Sequence, residues 1–113
     1  MKDKPVYATI DQVKLVLLKI DPKLAISYAS PGVGQRVEEL TVTSPSAAGR
    51  VLNIYSKAQR PGIFYSAAWI QGRRMVGTVS SSPLEEKEWL GNYVPLEESL
   101  LTLVKCLKGE MRF

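Results

Sequence analysis

The run Ile63-Phe64-Tyr65-Ser66-Ala67-Ala68-Trp69-Ile70 narrows the fold more than any other stretch of the chain. Its aromatic and β-branched side chains suit a pleated surface, and Arg60-Pro61-Gly62 stops whatever precedes it. A strand is expected there. Gln71-Gly72-Arg73-Arg74 then reads as a turn, and Met75-Val76-Gly77-Thr78-Val79 as the returning strand of a hairpin, with two arginines at or beside its tip.

Helical patterns flank this hairpin on both sides. Near the start, Thr9 or Asp11 can cap a helix in which Ile10, Val13, Leu17 and Ile20 recur at helical spacing, until Asp21-Pro22 ends it. Leu24 to Ala29 suits either a short strand or more helix, and Ser30-Pro31-Gly32-Val33-Gly34 breaks the chain. Gln35 to Leu40 can form a short helix with Val37 and Leu40 inward, followed by a turn at Thr41-Val42-Thr43.

Ser44-Pro45 offers a cap with proline at the first helical position, so a longer helix is expected from about Pro45 to Ala58. On it, Ala48, Val51, Leu52 and Tyr55 make an apolar face, while Ser46, Arg50, Asn53 and Lys57 make a polar and cationic one. Ser82-Pro83-Leu84-Glu85 has capping-box spacing and predicts an acidic helix through Leu90, stopped by Gly91-Asn92. A last helix begins at Pro95, with an apolar stripe broader than one side of a small core needs.

With 113 residues, 45% hydrophobic and 23% charged, the chain suits one folded domain. Met1-Lys2-Asp3-Lys4-Pro5 is not followed by a signal-peptide core, and no apolar run reaches membrane-spanning length, so a cytoplasmic protein without membrane contact is expected. One cysteine, Cys106, and no histidine leave out an internal disulfide, a cysteine zinc cage and the usual proton shuttle. No catalytic residue, metal or cofactor is expected, and the protein is not read as an enzyme. Residues 1–81 hold 11 Lys/Arg against 5 Asp/Glu, a net of +6, whereas residues 82–113 hold 4 against 6, a net of −2. An anionic partner for the first part follows.

The order short helix, tight turn, longer helix and β-hairpin over residues 35–79 resembles the winged helix-turn-helix superfamily of DNA-binding domains, an α+β architecture. The resemblance implies one winged-helix domain over residues 1–113, with residues 82–113 as a C-terminal helical extension. It also implies a small dimeric transcriptional regulator, specific for a sequence in double-stranded DNA. Arg50 and Asn53 suit guanine and adenine edges, Ser44, Ser46 and Lys57 suit phosphate, and Arg73 and Arg74 suit a minor groove or phosphate. Leu96, Leu100, Leu101, Leu103, Val104 and Leu107 are the expected homodimer interface, because their surplus apolar width fits burial against a second copy. The competing reading is a small protein-interaction module, an adaptor or inhibitor, that uses an exposed strand edge and the surface around Tyr65 and Trp69.

Overall fold

The computed structural model describes residues 6–30, 36–71 and 73–110. The first helix, α1 (Ile10–Ile20), opens on a reciprocal cap in which Thr9 Oγ1 accepts from the Gln12 N–H at 3.1 Å and Gln12 Oε1 accepts from the Thr9 N–H at 2.8 Å. Its Ile10, Val13 and Leu17 are buried, and the Asp21 N–H closes its end on Leu17 O at 2.9 Å.

Five strands then run up and down in sequence order: β1 (Ala25–Ala29), β2 (Arg36–Thr43), β3 (Arg50–Lys57), β4 (Ile63–Gln71) and β5 (Arg74–Pro83). Every neighbouring pair is antiparallel. A separate two-stranded hairpin, β6 (Glu86–Trp89) and β7 (Asn92–Pro95), follows, and α2 (Glu97–Leu107) ends the fold.

Both helices lie on one face of the large sheet and touch each other there. Leu40, Val42, Leu52, Ile54 and Ala67 point from the strands into Ile10, Val13 and Leu17 of α1 and Leu100, Leu103, Val104 and Leu107 of α2. The α2 stripe is wide because it fills the core of its own chain.

The half-buried Glu86 ties the periphery together. Its Oε2 accepts from the Ala8 N–H at 3.3 Å and its Oε1 from the Ile63 N–H at 3.1 Å. Burial pushes its carboxyl above the usual carboxylate range, and these two donors pull it partly back.

This is not the winged helix-turn-helix that the residue order suggested. Residues 36–43, expected as most of a short helix and the turn after it, form β2, with Gln35 outside the described residues, and the expected recognition helix at 45–58 is a turn followed by β3. Two physical causes account for it. Gly49 has φ +84°, and a Cβ there would run into the Ile70 carbonyl oxygen, so it marks a bend and not a helix interior. Val51, Ile54 and Tyr55 are β-branched or aromatic, and the sheet buries Leu52 and Ile54 on one side and Tyr55 on the other, so the buried set mimics a helical stripe.

Residues 85–90 also differ from the expected acidic helix. Ser82 and Pro83, expected to open it, end β5, Glu86–Trp89 form β6, and in the turn into β7 Leu90 and Gly91 take φ +51° and +82°. Such positive values belong to a tight hairpin turn. The end helices and the β4–β5 hairpin lie where the pattern put them, and of the ambiguous stretch from Leu24, Ala25–Ala29 forms β1. The expected chain break over 31–34 and Gly72 of the hairpin turn lie outside the described residues. No helix among the described residues is long and apolar enough to cross a membrane.

Candidate nucleic-acid interface

The face of the sheet away from the helices gathers three cationic side chains over two aromatic rings. Register places Arg36 opposite Lys57, Thr41 opposite Asn53, Asn53 opposite Ser66 and Tyr55 opposite Phe64. Because side chains alternate along a strand, these residues share the outer face, while Leu40, Leu52 and Ile54 point inward.

Tyr55 and Phe64 form a pair of rings 6.3 Å apart on that face. They are nevertheless only 1% and 2% exposed. Cations cover them. The Arg36 guanidinium carbon lies 3.8 Å from the Tyr55 centroid, and Lys57 Nζ and the Arg60 guanidinium carbon lie 4.5 and 5.2 Å from that of Phe64. Such placement draws on the negative face of each ring and holds long, flexible side chains in a defined layer.

Only Arg36 is partly neutralised: its Nη1 donates to Glu39 Oε1 at 2.6 Å, and its Nη2 reaches Ser66 Oγ at 3.5 Å. Lys57 and Arg60 make no ion pair among the described residues. Glu38 and Glu39 are the only carboxylates between residues 22 and 84. Glu38 accepts the Tyr28 hydroxyl at 2.8 Å on the strand's other side, which leaves Glu39 as the acid on this face. Beyond the cluster, Thr41 donates to Asn53 Oδ1 at 3.2 Å, and the row continues with the small side chains Thr43, Val51, Ser66 and Ala68.

The residues singled out from sequence separate in the fold. Asn53 and Lys57 are together on this face. Arg73 and Arg74 are exposed at the far end of β4 and β5, roughly 23 Å from Phe64 at the usual strand rise. Arg50 is turned inward, where its Nη1 donates to Cys106 O at 2.8 Å and its guanidinium lies 5.9 Å from the Trp69 ring. It caps the end of α2 and serves the core. Beside it, burial pushes the Cys106 thiol up, with the Arg50 charge opposing. Ser44 is buried, with its Oγ 2.8 Å from that of Ser46 inside the 44–49 turn.

Of the expected dimer stripe, Leu100, Leu103, Val104 and Leu107 are in the core, Leu96 is half-buried and Leu101 is exposed. Sequence reading missed Arg36 and Arg60. The signal was the period-two series Val51, Asn53, Tyr55, Lys57, whose outer side belongs to a strand and gathers cations from β2 and from the turn after β3.

Other hollows offer less chemistry. The cleft between β4 and α2, lined by Tyr65, Leu84, Glu85 and Ser99, holds one hydroxyl–carboxylate contact, Ser99 Oγ donating to Glu85 Oε2 at 3.0 Å. Among the described residues, no group of acids and thiols could hold a metal ion. No family model matches the chain, and comparisons with curated proteins and with solved structures give no match.

Proposed function

We propose that the chain binds nucleic acid, as a single strand, across the outer face of its sheet. The supporting observation is the layer of Arg36, Lys57 and Arg60 over the Tyr55–Phe64 pair, with Glu39 as its lone acid. Phosphates meet these cations, and bases lie along the row of small polar side chains from Thr41 to Ser66. The Arg36 and Arg60 guanidiniums, 3.8 and 5.2 Å from their ring centroids, add cationic stacking partners for bases.

Width argues against a duplex groove. Five strands at the usual spacing span about 19 Å, whereas the major groove is about 12 Å wide and admits a helix or a two-stranded ribbon. With the helical reading of 45–58 gone, an extended single strand is the better match to a flat basic face.

The experiment is fluorescence anisotropy with a labelled single strand of about 20 nucleotides and with its duplex, each at about 50 and 200 mM salt. Three phosphate contacts on a single strand predict affinity falling roughly 10- to 20-fold between those salts. Lys57→Glu combined with Arg60→Glu removes the binding while circular dichroism stays unchanged. Absence of binding at the lower salt, or a folded double variant that binds as well as the parent, refutes the proposal. Tighter binding of the duplex would return the argument to double-stranded DNA.

A further inference from the structure

We infer that two copies of the chain pair antiparallel along β1, joining their sheets into one. This inference stands apart from the nucleic-acid reading and rests on different residues.

Both ends of the five-stranded sheet are open among the described residues, but they are not alike. The register of β5 against β4 breaks twice, between Tyr65 and Ala67 and between Trp69 and Ile70, and β5 ends at Pro83. Bulges and a terminal proline are the usual means of blunting an edge against strand addition. By contrast, β1 pairs with β2 without a break from Ala25↔Thr43 to Ala29↔Glu39. Its sequence, Ala-Ile-Ser-Tyr-Ala, has no charge, proline or glycine, and four of its five residues are exposed. The unprotected edge is β1.

That edge is complementary to itself. A twofold axis through Ser27 sets Ile26 of each copy opposite Tyr28 of the other, and Ala25 opposite Ala29. The Ile–Tyr pairs are of a favourable cross-strand type, and they lie on the helix side, where Tyr28 is 52% exposed and Ile26 only partly buried.

The helix layer extends the contact. α1 packs over β2 and β3 on the same side of the sheet as Ile26 and Tyr28. Leu15 and Leu18 lie along one side of that helix. Leu15 is 69% exposed although its chemistry is apolar. Five paired residues alone fall short of the roughly 800 Å² per partner of a stable interface, so the Leu15–Leu18 strip is needed to complete it.

Sedimentation velocity at up to about 100 µM, a range that reveals dimers with micromolar dissociation constants, is the first test. The expected mass is twice the 12.5 kDa of the chain. Ser27→Lys sets two like charges against each other at the axis, and Leu15→Glu charges the strip; each should leave circular dichroism unchanged and return the monomer. In a Cys106→Ser background, Ser27→Cys should cross-link to itself on mild oxidation, because directly opposed residues lie within disulfide reach, while Thr78→Cys on β5 should not. A monomeric parent, a dimer that survives both charged variants, or cross-linking from Thr78 in place of Ser27 overturns the inference.

Discussion

Arg50 and Lys57 begin and end the same strand and have opposite fates, because Arg50 falls on the inward phase of the alternation and Lys57 on the outward phase. Arg50→Ala should therefore lower stability by about 1.5–3 kcal/mol, the usual loss for a charge-assisted hydrogen bond, as measured by urea unfolding. Its affinity for a single strand should match that of the parent. Gly49 gives a second test at this scale. Gly49→Ala meets both a left-handed backbone and the Ile70 carbonyl, whereas Gly91→Ala meets the backbone penalty alone, with nothing within 4 Å of the new Cβ. Loss of about 1–2 kcal/mol is expected at Gly91 and distinctly more at Gly49, so the order of the two urea midpoints checks the bend.

Among the elements, the two helices are joined where α1 ends and α2 finishes. Asp21 accepts from the Lys23 N–H at 2.9 Å and pairs with Lys108 at 3.2 Å. The Lys23 N–H, then Lys108, hold its carboxyl below the usual value of 3.8, and burial opposes them only in part. A depressed folded value means that the stability it contributes is present above the unfolded value and is lost as pH falls through the folded one. The urea midpoint of the parent should exceed that of Asp21→Asn at pH 6, and the gap should close as pH drops well below 3.8. The helices were legible because each buries one apolar face, and α1 also has local signals at its ends, Thr9 before it and Asp21-Pro22 after it, whereas α2 starts without a side-chain cap. Residues 36–57 were not, since Tyr55 is buried on the solvent side by Arg36, and that burial depends on a partner strand.

At the level of the whole molecule, the first and last elements share one core. Leu100, Leu103, Val104 and Leu107 cover Leu52 and Ile54, strands encoded about fifty residues earlier. Removing residues 96–113 strips these leucines and opens the inner face, so the shortened chain should show no cooperative thermal transition by circular dichroism. Retention of a sharp transition would mean that the sheet folds without α2. Charge is divided by the same layering. Residues 25–83 carry six Lys/Arg and two Asp/Glu, while the remaining acids lie in or beside the helices and the small hairpin or at the chain start. The sheet side is basic, and the proposed strand pairing would set two such surfaces side by side.

Local pattern alone sufficed for the end helices, the β4–β5 hairpin and the basic bias of the first part, because amphipathic spacing, turn chemistry and charge act over a few residues. It could not decide between helix and strand for residues 36–57. There the apolar residues satisfy a period of 3.6 as well as a two-sided strand, and the choice rests on neighbours distant in sequence. Ile70 closes on Gly49, Phe64 packs beside Tyr55, and Arg36 roofs the ring. Those long-range contacts turned a presumed recognition helix into the centre of a sheet, took Arg50 into the core and brought Arg36, Lys57 and Arg60 to one face. Tertiary pairing decided them, since a strand acquires its hydrogen bonds and its second buried side only from its partners.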